Sequence, residues 1–332
     1  MAEDHLRDTA AASEELLAEL LRGGDLDDRI PTLARDAGAV RRIERLVREM
    51  PTSHRLICAD ARQASLVEPE SVHLVVTSPP YWTLKRYPDH AGQLGSIADY
   101  DDFIGALGQI WLNCYRALVP GGRLVIDVGD VCLSRKRNNG RHTVVPLHAT
   151  IQEQCRKLGF DNLATVFWNK ISNARYEAAG AGGFLGKPYE PNAVIKNDVE
   201  FILMQRKPGG YRSPSRHARL LSLISAEDYQ RWFRQVWTDV RGTSHPHHPA
   251  PYPVELAERL VRMFSFVGDT VLDPFMGTGS TNLACAQWGR NSVGIELDAT
   301  FVKIAQSRLD DYKGRLFDST EVATRNGRNT RS

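Results

Sequence analysis

The sequence predicts an α/β fold in which a mostly parallel sheet is flanked by helices. Two observations lead to this prediction. Short apolar runs rich in β-branched residues recur from His54 onward, and segments with helical spacing separate them. Strands that alternate with helices form parallel sheets covered on both faces, because each crossover helix packs back onto the sheet.

The first predicted element is a helical extension over residues 1–53. It is rich in Ala, Leu, Glu and Arg, and its apolar side chains recur at helical spacing, for example at Val40, Ile43 and Val47. After this extension the alternating pattern begins. Strands are predicted at His54–Cys58, His73–Thr77, Arg123–Val128, 162–168, 199–205, Thr270–Asp273 and Ser292–Glu296. Helices are predicted at Asp99–Leu118, 146–158, Val254–Phe264 and Ser280–Trp288.

Composition excludes several classes of protein. The chain has 332 residues, of which 42% are hydrophobic, so it can bury a large core. Its apolar runs are short and its amino terminus lacks a secretory pattern, so we expect a cytoplasmic protein without membrane spans. The five cysteines lie far apart without a CxxC pair, which indicates reduced thiols. A net charge of +2 is too small to diagnose nucleic-acid binding by itself.

The segment Val271–Ser280 (VLDPFMGTGS) predicts a ligand-binding turn, although a plain tight turn would also explain it. An apolar strand ends in an acid, and a glycine turn then opens a helix. Gly277 and Gly279 allow the backbone to approach a ligand where a Cβ would collide. The segment lacks the lysine of a P-loop and the third glycine of a dinucleotide fingerprint, which disfavours phosphate binding. Glu296 ends the next predicted strand, where a ribose-binding acid is expected.

The segment Thr77–Trp82 (TSPPYW) follows another apolar strand and predicts a rigid turn that accepts hydrogen bonds. Its two prolines fix φ and remove two N–H donors, so the turn presents carbonyl oxygens. Ser78 adds a hydroxyl, and Tyr81 adds a flat surface for stacking. These features suit a planar ring that carries an amino group, although the same turn could pack its aromatic side chains into the core.

Together the two segments resemble the amino-methyltransferases of DNA, which use S-adenosylmethionine. In that family a D-P-F-x-G-x-G loop binds the cofactor, and an S/D/N-P-P-Y/F tetrad holds the flipped base. Further matches are Leu56–Asp60, Val119–Asp130, Gly186–Lys207 and His248–Arg259. The motif order, with the tetrad first and the glycine loop last, is similar to that of the circularly permuted beta class. The resemblance covers residues 54–311 and implies a Rossmann-like methyltransferase fold.

The resemblance implies roles for individual residues. The implied catalytic residues are Ser78, Pro79, Pro80 and Tyr81. The implied cofactor-binding residues are Asp60, Asp273, Phe275, Gly277, Gly279 and Glu296. In this set Asp273 and the loop after it would hold the cationic methionine part, for which a carboxylate is a sensible partner. Glu296 would bind the ribose hydroxyls, and Asp60 would bind the adenine amine.

The resemblance also divides the chain into regions. Residues 54–207 would form the catalytic half of the methyltransferase domain, and 241–316 would form its cofactor-binding half. Residues 208–240, which open on a Gly-, Pro- and Ser-rich stretch, would form a small inserted target-recognition region. The polar tail 317–332 is predicted to be disordered.

Two basic clusters are the expected contacts with double-stranded DNA. They lie in Ser134–His142 and Arg206–Arg219, where Gly, Asn and Ser surround the charges. Flexible cationic side chains in such loops can reach phosphates and grooves. The predicted DNA-binding residues are Arg135, Lys136, Arg137, Arg141, Arg212 and Arg216. A cognate restriction endonuclease and a homodimer remain open as partners.

Other charged residues receive simpler interpretations. Lys170 and Glu200 are expected to be solvated or structural charges. His245, His247 and His248 lie close together, but they lack Cys or carboxylate partners at suitable spacing, so we expect no metal.

The implied reaction is direct transfer to an exocyclic base amine. The chain has no Pro-Cys dipeptide, the nucleophile signature of carbon-5 cytosine methyltransferases, so no covalent intermediate is expected. A serine at the first tetrad position, here Ser78, resembles the cytosine N4 members, and so does His248–Pro251. Asp or Asn there is associated mostly with adenine N6. Chemistry alone does not decide, because all three side chains accept from an amine. Adenine N6, an RNA amine and a non-catalytic nucleotide-binding module stay as alternatives.

Overall fold

The computed structural model describes residues 24–82, 92–133, 138–170, 197–243, 252–313 and 320–326, with residues 15, 18–20, 22, 90, 135, 191 and 195. Its helices are α1 (Leu26–Leu33), α2 (Ala37–Glu49), α3 (Tyr100–Ala117), α4 (Leu147–Lys157), α5 (Arg216–Leu221), α6 (Ala226–Trp232), α7 (Val254–Phe264), α8 (Ser280–Gln287) and α9 (Ala299–Lys313). Its strands are β1 (Thr52–Cys58), β2 (Val72–Thr77), β3 (Leu118–Val128), β4 (Val131–Leu133), β5 (Thr143–Val145), β6 (Asp161–Asn162), β7 (Val166–Asn169), β8 (Val199–Arg206), β9 (Val236–Trp237), β10 (Thr270–Asp273), β11 (Asn291–Glu296) and β12 (Thr320–Asn326).

One large sheet organises the described residues. Its strands follow the order β12-β1-β11-β10-β2-β3-β8-β7-β9, and β6 pairs with β8. From β12 to β3 every pairing is parallel, whereas β8 runs antiparallel to β3 and β7. β4 and β5 form a separate antiparallel hairpin. The prediction of an α/β fold with a mostly parallel sheet is therefore confirmed.

Alternation along the central strands directs apolar side chains to two faces. On β3, Leu124 and Ile126 join a core that is covered by α3 and α4, while Val125 points to the opposite core beneath α7 and α8. Neighbouring strands follow the same period of two. The sheet is thus buried on both faces, as expected for parallel strands joined by helices.

The amino-terminal helices pack as a separate layer beside this sheet. Asp36 caps α2 by accepting hydrogen bonds from two backbone N–H groups. The buried face of α2 contributes Ile43 and Val47 to a cluster that also contains Leu220 of α5 and Trp288. The helical character predicted for this region is confirmed over α1 and α2.

The carboxyl-terminal tail differs from its prediction. Residues 320–326 form β12, which pairs in parallel with β1 at seven consecutive positions from Thr52 to Cys58. The prediction that all of 317–332 is disordered is therefore wrong for this strand. Its polar composition hides the pairing, because an edge strand is stabilised by main-chain hydrogen bonds that any side chain permits.

The two predicted halves of the methyltransferase domain build the same sheet. β10 and β11 come late in the chain, yet they lie between β1 and β2. Residues 208–240 contain α5, α6 and β9, and β9 extends the sheet beside β7. The assignment of this region to target recognition stays a prediction. In the part of the chain that the structure describes, every helix is too short or too polar to span a bilayer.

Candidate active site

A cleft lies at the carboxyl edge of the sheet, where β1, β2, β10 and β11 end side by side. Its wall includes Asp60 after β1, Ser78–Pro80 after β2, Phe275–Thr278 after β10, and Glu296. Open α/β sheets bind ligands at this edge. Parallel pairing therefore brings together residues that lie far apart in sequence.

Asp273 ends β10 and is fully buried behind the cleft. Its Oδ1 accepts from Thr77 Oγ1 at 2.7 Å and from the Phe275 N–H at 3.0 Å. Its Oδ2 accepts from Thr281 Oγ1 at 2.6 Å and from the Tyr252 hydroxyl at 3.2 Å. Burial raises the pKa of Asp273, and these hydrogen bonds oppose that effect. These four donors let Asp273 position the loop from behind, and its direct contact with a cationic ligand stays a prediction.

The glycine loop is shaped by contacts on its far side as well as by the cleft. Gly279 has φ 78° and lies at the start of α8. A Cβ at this position would stand 2.8 Å from the Cβ of Ala305 in α9. Gly279 therefore permits close packing of the turn against α9, whereas Gly277 and Phe275 line the cleft.

Glu296 closes the cleft at the end of β11. Its Oε2 accepts a hydrogen bond from the Gly277 N–H at 2.9 Å, and its Oε1 accepts from the Asp298 N–H at 2.9 Å. Burial raises the pKa of Glu296 to about 7, although these backbone donors favour the charged form. Glu296 also lines the cleft, so its carboxylate can still accept from a ligand hydroxyl.

Asp60 lies in the cleft with part of its hydrogen-bonding capacity already used. Its carboxylate accepts from Arg62 Nη2 at 2.5 Å and from Arg62 Nε at 3.0 Å. The side chain is 20% exposed. Gly92, at φ 95°, brings the opposite wall close to the Asp60 carboxylate. The position agrees with a ligand contact, and the ion pair with Arg62 fixes the orientation of the carboxylate.

The tetrad forms the wall opposite Glu296. Ser78, Pro79 and Pro80 line the cleft, and Ser78 Oγ lies 3.2 Å from the Tyr81 hydroxyl. Tyr81 is 8% exposed and packs in the core on the α3 face. The hydrogen bond from Thr77 to Asp273 ties this turn to the glycine loop on the neighbouring strand. Stacking of Tyr81 on a base stays a prediction.

A buried acid beside the tetrad was missed by the sequence analysis. Asp127 lies on β3 and is 3% exposed; no described residue donates a hydrogen bond to its carboxylate, whose neighbour is the Glu200 carboxyl. Because Thr77 aligns with Ile126, the next residues Ser78 and Asp127 continue side by side where the two strands end. In the sequence Asp127 stands within the apolar run LVIDV and looks like any other residue of a strand. Its burial away from hydrogen-bond donors becomes apparent only from the fold.

Lys170 and Glu200 stand next to this acid. Lys170 Nζ donates to both Glu200 carboxylate oxygens, at 3.0 and 3.1 Å, and both side chains are mostly buried. Burial and the nearby charge of Glu200 raise the pKa of Asp127 well above its ordinary value, while Lys170 acts in the opposite direction. A Cβ on Gly129 would lie 3.3 Å from the Tyr81 ring and 3.5 Å from Glu200. The predicted structural charges therefore lie beside the tetrad.

The first basic cluster rises from the same edge of the sheet. Val131, which opens the β4–β5 hairpin, packs in the same core as Tyr81. In the loop of this hairpin the Gly140 N–H donates to the Arg135 carbonyl at 2.9 Å, and Asn138 Nδ2 donates to the Arg141 carbonyl at 3.2 Å. The side chains of Arg135 and Arg141 are exposed. This cluster therefore exposes two arginine side chains on the cleft side of the sheet.

The second basic cluster lies at the opposite edge of the sheet. Arg212 donates to both oxygens of Asp269 at 2.6 Å, and this ion pair is largely buried next to the start of β10. Arg216 is exposed at the start of α5. The amino edge is remote from the cleft, so the fold does not bring Arg212 and Arg216 to Ser78.

Several predicted residues lie outside the described part of the chain. They are Lys136 and Arg137 in the hairpin loop and the histidines His245, His247 and His248. Most of the segment Gly186–Lys207 before Asn197 lies outside it as well.

Comparison with known proteins identifies the family to which the chain belongs. The N6_N4_Mtase family model, described as DNA methylase, matches residues 72–307. The chain is 35% identical over 297 residues to the type II methyltransferase M.MjaI of Methanocaldococcus jannaschii, covering 81% of this chain and 95% of that protein. It is 32% identical over 284 residues to the type II methyltransferase M.MthZI of Methanothermobacter thermautotrophicus, covering 79% and 78% respectively.

A solved structure matches the fold closely. The putative DNA modification methylase TTHA0409 of Thermus thermophilus, complexed with S-adenosyl-L-methionine, is 49% identical to this chain. The superposition covers 82% of this chain and 98% of TTHA0409, with a TM-score of 0.67.

Proposed function

The chain belongs to the N6/N4 DNA methylase family, and we propose that it transfers a methyl group from S-adenosylmethionine to the N4 amine of cytosine in duplex DNA. One observation carries the proposal. The glycine loop and the proline tetrad line a single cleft, and the Thr77–Asp273 hydrogen bond holds them at adjacent strand ends. A methyl donor on one wall and an amine on the other would thus meet between them.

The cofactor of this family of reactions, S-adenosylmethionine, fits the residues of the cleft. Glu296 and Asp60 both line the cleft, so Glu296 would accept from the ribose hydroxyls and Asp60 from the adenine amine. Gly277, which has no Cβ, and Phe275 line the loop side of the cleft. Asp273 holds this loop from behind. When bound, the cofactor supplies an electrophilic methyl group.

The tetrad prepares the amine of a flipped base for attack. The lone pair of this amine is delocalised into the ring of the base, so the amine is a poor nucleophile. Ser78 Oγ and the Pro79 carbonyl accept from its two hydrogens and favour a more pyramidal nitrogen that faces the methyl group. As nitrogen forms its bond to the methyl carbon, the carbon–sulfur bond breaks and one N–H proton must leave.

Asp127 and Glu200 provide a route for that proton. Ser78 would accept the amine proton and pass its own hydroxyl proton to Asp127, the next position in register on β3. This step requires the two side chains to close to hydrogen-bond distance when the base binds, because no described residue donates to Asp127 in the ligand-free chain. Asp127 then passes the proton on to the neighbouring Glu200 carboxylate. Glu200 becomes neutral and later releases the proton to solvent near Lys170.

The choice of cytosine rests on the resemblance of Ser78-Pro79-Pro80-Tyr81 to the cytosine N4 members. The tetrad precedes the glycine loop in the chain, which supports membership of the permuted beta class. His248–Pro251, the second feature similar to cytosine members, lies outside the described residues. Adenine N6 of duplex DNA is the alternative product, and an RNA amine is a further one.

We assign duplex binding to the hairpin cluster. Arg135 and Arg141 are exposed on the side of the cleft, and Lys136 and Arg137 belong to the same loop. Arg216 stays a weaker candidate because of its position at the amino edge. Arg212 is left out, since Asp269 occupies its guanidinium. The similar type II methyltransferases make a role beside a restriction endonuclease a reasonable proposal for this chain.

Nucleoside analysis of DNA tests the proposed product. DNA from cells that express the protein and lack other methyltransferases is digested, and modified nucleosides are quantified by mass spectrometry. We expect N4-methylcytosine, and its loss in a Ser78→Ala variant that still binds S-adenosylmethionine. N6-methyladenine without N4-methylcytosine would overturn the choice of base but keep the family. Methylation of RNA and not of duplex DNA would overturn the substrate class.

A further inference from the structure

A second cavity of about 280 Å³ opens at the amino edge of the sheet. It lies between the start of β2, the start of β3, the end of β8 and the segment after α7. The cleft described above lies at the other end of the same strands. A residue rise of roughly 3.3 Å separates Arg123 from Asp127 by about 13 Å along β3. The cavity is therefore distinct from the candidate active site.

The lining of this amino-edge cavity is strongly basic. Among the described residues that form it, four are arginines and none is an acid. Three of these arginines are already paired: Arg206 with Asp161, Arg212 with Asp269, and Arg262 with Glu44. Their carboxylate partners stand outside the lining.

Arg123 is the exception among these four arginines. Its guanidinium has no hydrogen bond or ion pair with a described residue, and it lies 4.8 Å from the centre of the Phe264 ring. Burial and the neighbouring charge of Arg206 lower the pKa of Arg123. A half-buried cation without a counter-charge is costly, and an anion in the cavity would remove that cost.

The wall of the cavity is rigid. Two Pro-Gly-Gly turns, 120–122 and 208–210, pack against each other, and the Gly121 N–H donates to the Lys207 carbonyl at 3.0 Å. A Cβ on Gly121, at φ 76°, would stand 2.4 Å from the Gly210 carbonyl oxygen. Main-chain contacts therefore fix both turns, which lie next to Arg123 and Arg212 in the chain.

We propose that the amino-edge cavity is a binding site for a phosphate-type oxyanion, with Arg123 as its principal ligand. The guanidinium presents a planar fork of donors that matches two oxygens of a phosphate group. The volume lies just below the range of pockets for drug-sized ligands, which suits a phosphate or diphosphate group. The group can come from a free small molecule or from the end of a nucleic-acid strand. The inference does not rest on the proposed methyl transfer.

Isothermal titration calorimetry with inorganic phosphate and with pyrophosphate tests this site at one fixed ionic strength. We expect saturable one-to-one binding to the wild-type chain and at least about tenfold weaker binding to Arg123→Met, because a charge-assisted pair of hydrogen bonds is lost. Arg41→Met removes the same charge from an exposed position on α2 and should bind as wild type does. Arg123→Lys, which keeps the charge and loses the fork, should be intermediate and replaces Arg123→Met if that variant does not fold.

Two further arms separate the sources and the two sites. Single-stranded oligonucleotides with a 5′-phosphate or a 5′-hydroxyl are titrated in the same way. Phosphate-dependent binding lost in Arg123→Met assigns the group to a strand end, whereas binding of the small anions alone assigns it to a free ligand. Methyl transfer by Arg123→Met should match wild type, so failure of this proposal leaves the proposed function intact. No saturable binding of either anion, or equal binding by wild type and Arg123→Met, overturns the proposal.

Discussion

The carboxyl and amino edges of the central sheet both carry a cavity and a basic segment, but they differ in how their charges are paired. At the amino edge Arg212 is saturated by the buried Asp269. At the carboxyl edge no described residue donates a hydrogen bond to the buried Asp127, and Arg135 and Arg141 are exposed without an ion pair to a described residue. Paired charges fix a structure, whereas unpaired ones are available to a ligand. The comparison assigns chemistry to the carboxyl edge and most of the amino-edge arginines to folding.

The largest effect is expected at the buried acid. Asp127→Asn keeps the shape of the side chain and removes its capacity to relay a proton, so turnover should fall by about 100-fold or more. Cofactor affinity should stay unchanged, because Asp127 does not line the cofactor side of the cleft. Single-turnover methylation and a binding titration measure the two quantities.

The matched control is Gln205→Leu, which replaces another fully buried polar side chain on the neighbouring strand β8. It should keep its turnover. Wild-type turnover in Asp127→Asn would exclude Asp127 from the mechanism and leave it with a structural role.

At the amino edge the expected effect is on stability. Arg212→Ala leaves Asp269, which is 8% exposed, without its counter-charge. Breaking such a pair should lower the free energy of unfolding by about 3 kcal/mol. Chemical denaturation measures this loss, with the exposed Arg216→Ala as a control that should change it little. A stable Arg212→Ala protein with weakened DNA binding would reverse our assignment of Arg212.

The side chain of Glu296 should make the affinity for S-adenosylmethionine depend on pH. With a pKa of about 7, it loses its negative charge as the pH falls through neutrality. We expect S-adenosylmethionine to bind about tenfold more weakly for each pH unit below this value, because the protonated acid is a poorer acceptor for hydroxyls. Affinity measured between pH 5.5 and 8.5 should show this slope, and Glu296→Gln should abolish it.

The same group changes stability in the opposite direction. Its folded-state pKa is raised above the ordinary 4.5, so protonation favours the folded, ligand-free chain. Its contribution is present below pH 4.5 and is lost as the pH rises through about 7. Comparing the unfolding free energy of wild type and Glu296→Gln across this window isolates it. A difference that does not vary with pH would place the pKa of Glu296 elsewhere.

Much of the fold and the cleft could be predicted because their signals are local. β-branched runs defined β1, β2 and β10, and glycines and prolines marked the two turns that meet in the cleft. Two kinds of feature could not be predicted. Asp127 acquires its character from burial beside Ser78, which depends on strand order. Gly279 is required by Ala305 of another helix, a contact that the local pattern does not contain.

The basic clusters show the same limit. Arg135 and Arg212 have similar sequence surroundings, rich in Gly, Asn or Ser, and composition treats them alike. The edge of the sheet to which each loop returns depends on the direction of its strand. β3 runs toward the cleft and ends beside the hairpin, whereas the antiparallel β8 runs away from it. Strand direction therefore separates the cluster that we propose to face DNA from a structural one.

Duplex binding as a function of salt tests this division between the edges most directly. For the wild-type chain, log affinity should fall linearly with log salt, and Arg135→Ala with Arg141→Ala should reduce that slope by about two, one for each lost phosphate contact. The slope of an Arg216→Ala variant, changed at the amino edge, should equal that of wild type. An unchanged slope in the hairpin variant, together with a reduced slope in Arg216→Ala, would place the DNA at the amino edge and contradict the account.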